Sequence, residues 1–491
     1  MKISLLAFGI SLLPLSVSAA TYHVAANGND SRSCAQAQSA ATPKKTIQAG
    51  FTCAAPGDTV LVSAGTYVES VSLTKSGVKG KPITLKAKPG ETAIWRSKNT
   101  DTNSENGALS IRKQSFLRIE GFTFDGSTTR STIYVWNDPR NKEVAPVQGI
   151  EIVNNKFTNN GHNTNDARVV YFVSAGHKTF DSGDVQNVIS GNTFSGNYGR
   201  NISLLATSDT LVSKNTATNG RGSLMGGGAY SARFLQIGGE DKEGNNSVRN
   251  IAEQNTIHDF TVQPYVGNAA NGIQGIKLDS NADKNVIRNN TIYNLDAARQ
   301  KDSEGIFLES RCDDNLVSGN VVYNIGQTAY RDGSKGTTTA LRNQWVNNVG
   351  YNSQCGLSLS NAKGAVVQNN IFAHNTDAQV YVAEMSAANG GHTFSHNLYH
   401  RAEAGKLNAW NGSATSCKAA THDFSSWTSA SKDKNSLAAD PRFENPPSDF
   451  RLKSTSPAID AGVAGVDMGA YPNDESIPVL LSAPTGLRVI Q

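Results

Sequence analysis

From about residue 115 to about residue 400 the chain is written in short alternating runs: an apolar residue, a polar one, another apolar one, each run entered through an Asn-containing turn. The turn reads GFTF at Gly121, NKF at Asn155, NTF at Asn192, NTA at Asn215 and NTI at Asn255 and Asn290. It continues as NVV at Asn320, NVG at Asn348, NIF at Asn370 and NLY at Asn397, at intervals of 22 to 40 residues. Period-two alternation predicts strands with one buried face. A short minimum repeat with variable insertions predicts a solenoid in which each coil is one circuit of three short strands and the insertions fall in loops. The expected fold is all-β, a right-handed, single-stranded parallel β-helix, with the asparagines stacked as internal ladders that satisfy turn backbone groups.

A second run precedes each Asn turn by about a dozen residues: Ile202-Ser203-Leu204, Leu235-Gln236-Ile237, Ile276-Lys277-Leu278, Ile306-Phe307-Leu308, Leu357-Ser358-Leu359 and Val380-Tyr381-Val382. Aliphatics inward and middle residues outward give one surface column of Ser203, Gln236, Lys277, Phe307, Ser358 and Tyr381. The column two residues on holds Asp279 and Glu309, with Ser360 beyond. Charge therefore gathers mid-strip, with Asp302, Glu304 and Arg311 at the ends of the neighbouring strand. Tyr330, Arg331 and Asp332 lie in the next coil, in a register that spacing does not set.

Composition fits a thin-cored rod: 45 glycines and 38% hydrophobic residues. The formal charge of +4 loses one with Lys2, and no Lys/Arg run points to nucleic acid. Lys2, an apolar run from Ile3 to Val17 and the small residues Val17-Ser18-Ala19 read as a signal peptide over residues 1–19, too short to span a membrane. A secreted or periplasmic monomer is expected. Of the five cysteines, Cys34 and Cys53 bracket a short excursion and are expected to pair. Cys312 and Cys355 lie two coils apart, near the upper reach of a disulfide, and Cys417 has no obvious partner.

Residues 20–80 read as an N-terminal cap and first coils, with Ile47 and Phe51 four apart on a short capping helix. Residues 81–435 are the β-helix, 436–475 a closing segment and 476–491 a linker or tail. The segment TIQAGFTCAAPGDTVLVSAGTYVES, beginning at Thr46, resembles the opening of many secreted right-handed β-helix proteins of the pectate-lyase-like superfamily, polysaccharide lyases among them. The stretch ADPRF…DFRLKSTSPAIDAG…DMGAYP, from Ala439 to Pro472, resembles the closing segment of the same group. GIKLD around Lys277 looks like the strand bearing the lysine base of a calcium-dependent pectate lyase family, although that family's aspartate cluster is absent from the coils just before it. Gly275 to Asn320 is similar in texture to alginate and chondroitin lyases of this fold, with Glu309 where their arginine is expected. The Gly-His-Gly and Arg-Ile-Lys segments of polygalacturonases and the Asp-Pro-His-Asp signature of mannuronan epimerases do not occur.

The chemistry expected is β-elimination on a uronate-containing polysaccharide. Removing a proton α to a carboxylate requires a base and a cation to stabilise the developing enolate. Lys277 is the expected base, and Arg311 the residue that grips the sugar carboxylate bidentately. Asp279, Glu309, Asp302 and Glu304 are the expected oxygen ligands of Ca²⁺. Phe307, Tyr381, Tyr330 and Arg331 are expected to contact substrate. Two alternatives stay open: a hydrolase or epimerase on the same fold, and a glycan-binding or cell-surface protein without activity. In the last case Lys277, Asp279 and Glu309 form a plain surface ion-pair ladder.

Overall fold

The computed structural model describes residues 19–137, 147–163, 166–173, 186–225, 228–230, 232–238, 246–261, 272–296, 303–309, 311–333, 339–383, 390–401, 405–410, 417 and 419–471. The expected signal peptide and the tail at 476–491 lie outside them. Successive coils each give one strand to three long sheets of 13, 12 and 13 strands, all paired in parallel. The first sheet runs from Thr21–Val24 to Thr393–Ser395, the second from Val71–Leu73 to Ala409–Trp410 and the third from Gly65–Val68 to Leu437–Ala438. The chain is a parallel β-helix.

Its interior is built by stacking like on like. The inward residues Trp95, Phe124, Phe157 and Phe194 occupy one register position of the third sheet. Phe157 lies 5.0 Å from Phe124 and 4.8 Å from Phe194, in each case nearly parallel. Where the first sheet turns into the third, Asn155, Asn192, Asn215, Asn255, Asn290, Asn320, Asn348, Asn370 and Asn397 form an unbroken ladder, each Oδ1 accepting the backbone N–H of the preceding member at 2.9–3.0 Å. A second ladder, Asn250, Asn285, Asn315 and Asn343, lines the turn from the second sheet into the first. Buried turns with no continuous strand on either side need these amides, because an orphaned backbone group in the core costs about 1–3 kcal/mol. The residue before each ladder asparagine takes a left-handed conformation, as at Asn289 (φ 55°) and Gly319 (φ 63°), which suits Asn and Gly.

The N-terminal end is closed by the helix Ile47–Cys53, with Ile47, Gly50 and Phe51 buried and Thr46 as its N-cap. The Cys34–Cys53 disulfide ties this cap together. The opposite end is closed by the helix Phe424–Ser431, whose Trp427 is buried 5.2 Å from Phe394 and 6.3 Å from Tyr399. The stretch after Ala438 doubles back instead. Its hairpin of Phe443–Asn445 and Asp449–Leu452 lays Phe450 5.2 Å from Tyr323 on the outside of the third sheet. Asn347 Nδ2 donates to Asp467 O at 2.9 Å in the same flank.

The other cysteines follow the faces of the wall. Cys355 pairs with Cys417, the residue that had no obvious partner in the sequence. Cys355 stands on the outer side of the second sheet, beside Tyr381 and Ala409. Cys312 points into the main core as a buried free thiol, its Sγ 3.4 Å from Asp279 O. Two disulfides are the mark of a protein that folds outside the cytoplasm. Among the described residues no helix is long and apolar enough to cross a membrane.

Candidate functional site

The outer face of the second sheet carries the chemistry. Register places Ser203, Gln236, Lys277, Phe307, Arg331, Ser358 and Tyr381 side by side on successive strands, which is the expected column with Arg331 now in its gap. Asp279 and Glu309 follow two residues on, their backbone N–H groups bonded to Ile237 O and Leu278 O. A third column stands three residues before the first: Arg168, Arg200, Arg233, Gln274 and Glu304, in register. Counting by twos misses it, because each strand carries one extra residue at a bend. In three strands that residue is glycine: a Cβ on Gly275 would lie 2.6 Å from Gly305 O, and one on Gly305 2.6 Å from Ala329 O. The signal in the sequence was an arginine two residues ahead of the aliphatic triplet at Arg168, Arg200 and Arg233.

These columns knit into one network. Lys277 Nζ lies 2.6 Å from Glu309 Oε2 and 3.3 Å from Asp279 Oδ2, and the lysine side chain is 8% exposed. Gln236 Nε2 donates to Asp279 Oδ2 at 3.0 Å. Arg233 donates to the side-chain oxygens of both Gln236 and Gln274. Gln274 Nε2 donates to Glu304 Oε2 at 2.9 Å, and Arg331 Nη1 to Glu304 Oε1 at 2.7 Å. Phe307 sits between the cations, with Lys277 Nζ 5.4 Å and the Arg331 guanidinium 4.8 Å from its ring centroid.

The two carboxyls beside Lys277 are driven apart. Burial and the hydrogen bond shared with Asp279 push Glu309 up to about 7. Burial would also raise Asp279, but the hydrogen bond from Glu309 and the charges of Lys277 and Arg233 hold it well below the usual carboxylate range. One proton shared between adjacent carboxyls is the physical cause, since both cannot ionise freely at contact distance. Further along, burial pulls the Arg200 guanidinium down to about 10 against the opposing charge of Asp166.

Several expected site residues stand elsewhere. Tyr330 is a correction: it is wholly buried, facing the core, with its hydroxyl donating to Asn320 O and Val349 O at 2.8 and 2.9 Å. Tyr381 is another; it is on the outward column but buried, packed with Cys355, Ala378 and Ala409 against the segment that the Cys355–Cys417 bridge holds down. Phe307 is 5% exposed and has a cation over its ring on either side, so it spaces Lys277 from Arg331 and offers no open platform to a sugar. Arg311 lies in the turn beyond the strand, exposed and left-handed (φ 57°). Asp302 is outside the described residues. Glu304 is held by Arg331 and Gln274, five residues before Glu309 and on the far side of the bend at Gly305. Of the expected calcium ligands, Asp279 and Glu309 meet at Lys277 and Glu304 stands apart on Arg331, and among the described residues no three acidic, His or Cys side chains form a group suited to a metal ion.

No family model matches the chain. The uncharacterized protein YwoF of Bacillus subtilis (strain 168) is 27% identical over 476 residues, 89% of this chain and 91% of that protein. Among solved structures, a pectate lyase (Pel9A) matches 93% of this chain and 97% of its own at 13% identity and a TM-score of 0.43. An alginate lyase from Paenibacillus sp. matches 80% and 98% at 14% identity and a TM-score of 0.37. What the chain shares with them is the parallel β-helix fold. It is also the fold of a lacto-N-biosidase from Eubacterium ramulus, which matches 80% of this chain and 68% of its own at 13% identity and a TM-score of 0.38. Chemistry has to be read from the residues themselves.

Proposed function

We propose that the protein is an exported polysaccharide lyase that cleaves an acidic, uronate-containing glycan by β-elimination on the outer face of the second sheet. The observation that carries this reading is the Lys277 ammonium clasped between Asp279 and Glu309 and largely shielded from water. A lysine that holds two carboxylates acts as a cation, so the base is better assigned to Glu309, which burial and Asp279 bring to about 7. A sugar carboxylate bound at Lys277 gains the cation needed to stabilise the enolate. The α proton passes to Glu309, its bonding electrons form the ring double bond, and the glycosidic C–O bond breaks with water supplying the proton to the leaving oxygen. Gln236 and Arg233 keep Asp279 ionised and oriented through this step.

A second reading rests on the same pair. Carboxyls whose acidities are pushed apart can serve as acid and nucleophile of a glycosidase. Asp279 and Glu309 share one ammonium and one proton, so they stand closer together than the roughly 5–5.5 Å of retaining enzymes, and this reading requires substrate to part them.

The test is incubation of the purified full chain with pectate, alginate, glycosaminoglycans and bacterial exopolysaccharides, followed by ultraviolet absorbance of the conjugated unsaturated uronate. A rise on any polymer supports the lyase. New reducing ends without absorbance move the assignment to the glycosidase. Binding with neither leaves a glycan-binding protein.

A further inference from the structure

On the N-terminal side of Lys277 the same face is a run of guanidinium groups. Arg168, Arg200 and Arg233 stand in register on three successive strands, about 4.8 Å apart, and the fourth strand carries Gln274 in that register and Lys277 three residues further along. Arg168 and Arg200 share Asp166 at 2.7 and 3.1 Å, and Arg130 lies 3.9 Å from the same carboxylate. Glu105 is 3.6 Å from Arg130 and 3.5 Å from Arg168. Arg233 lies against the neutral side-chain oxygens of Gln236 and Gln274. Three guanidinium groups, Arg130, Arg168 and Arg200, thus share Asp166, and two of them share Glu105. The buried Nε atoms of Arg130 and Arg168 have no acceptor among the described residues. The Arg168 and Arg200 side chains remain 18% and 13% exposed, so a ligand can reach them. Shielded like charges one strand apart repel strongly unless anions lie over them.

We propose that Arg168, Arg200 and Arg233 are specificity-determining subsites that read charge spacing along a polymer, favouring a chain with a carboxylate on every sugar over one in which acidic and neutral sugars alternate. The spacing decides between the two. A cation on each strand repeats at about the length of one sugar residue in an extended chain, whereas an alternating polymer would call for a cation on every second strand. The placement also gives the bound chain a direction, extending from the reacting residue at Lys277 toward Arg168. Beyond Arg233 the arginine column continues as the neutral Gln274 and the acidic Glu304, so the run of guanidinium groups ends at Arg233.

This inference rests on the lyase reading only for what happens at Lys277, and binding tests it apart from turnover. The full chain carrying Lys277→Met is titrated calorimetrically, at low salt, with hexagalacturonate, with its methyl ester and with a hyaluronan hexamer. Hexagalacturonate is expected to bind at least tenfold more tightly than the other two. Arg200→Gln and Arg233→Gln, each added to Lys277→Met, are each expected to weaken hexagalacturonate binding by roughly 10- to 100-fold, the loss of a charge-assisted contact, without changing hyaluronan binding. Should Arg200→Gln fail to fold, Arg200→Lys and the ester comparison on the intact ladder decide. Equal affinity for the fully acidic and alternating hexamers, or unchanged binding by the arginine variants, overturns the inference. Unsaturated product released preferentially from hyaluronan by the unsubstituted protein overturns it while leaving the lyase standing. Tight, arginine-dependent hexagalacturonate binding without any product supports the ladder and sinks the lyase.

Discussion

The Lys277 ammonium reaches across to Glu309, 2.6 Å away on the adjacent strand, although the residue beside Lys277 in backbone register is Phe307. The crossing leaves the Phe307 ring between Lys277 and Arg331 and brings Asp279 and Glu309 onto one cation. Lys277→Met is therefore expected to lower kcat/KM by about 10²–10⁴-fold. It leaves two adjacent carboxyls without their cation, so Glu309 should hold its proton still more firmly. Steady-state kinetics on the responsive polymer, alongside urea unfolding to show that the fold persists, checks this.

Glu309 sets the pH dependence. Acting as a base it must be ionised, so kcat/KM should rise with pH and level off above about 7, and Glu309→Gln should remove both the rise and most of the activity. Stability moves the other way. The folded pKa of Glu309 lies above the unfolded one, so between about pH 4 and about pH 7 the native state holds a proton that the unfolded chain has released, and stability falls as pH rises through that window. Asp332, buried beneath Trp345 Nε1 and Asn343 Nδ2, is pushed to about 7 by burial and acts in the same direction. Thermal midpoints across that range should decline, with a shallower slope in Glu309→Gln.

Asn290 sits mid-ladder. Its Oδ1 accepts from Asn255 N and Nδ2, while its Nδ2 donates to Ala252 O, Arg288 O and Asn320 Oδ1. Asn290→Ala orphans these buried groups and is expected to cost about 2–4 kcal/mol. Asn352→Gly, at a left-handed position (φ 46°) in the exposed row above Asn324, should stay within about 0.5 kcal/mol. Urea denaturation followed by circular dichroism compares the two.

Trp427 covers the C-terminal end of the coil stack and donates its Nε1–H to Asp433 at 3.0 Å. Trp427→Ala should destabilise by about 3–5 kcal/mol. It also leaves Asp433 short of a donor and bares Phe394 and Tyr399, an apolar coil end open to self-association. Lower urea midpoints and larger species on size exclusion are the expected results.

The thiols are expected to sort cleanly. A non-reducing peptide map should recover Cys34 linked to Cys53 and Cys355 linked to Cys417. Cys312 should react with an alkylating reagent only after denaturation, since it lies wholly inside the coil stack and burial pushes its thiol up.

The repeat of Asn turns and period-two triplets by itself determined the β-helix, the long Asn ladder and the column from Ser203 to Tyr381. Each is a local rule applied once per coil: alternation decides which side chain faces out, and a buried turn demands an amide. The charged centre at Lys277, Asp279 and Glu309 was legible for the same reason, since stacking turns equal positions in neighbouring coils into contacts. What local rules do not carry, tertiary structure decided. The extra residue at each bend shifted Arg168, Arg200, Arg233 and Glu304 onto the same face, out of step with a count by twos. The true register turned Tyr330 inward and set Arg331 beside Phe307. The return of the chain after Trp410 buried Tyr381 and gave Cys355 its partner 62 residues away. Spacing within a coil is written in the sequence; where a distant segment lies down on the finished rod depends on shape and burial that exist only once the coils are stacked.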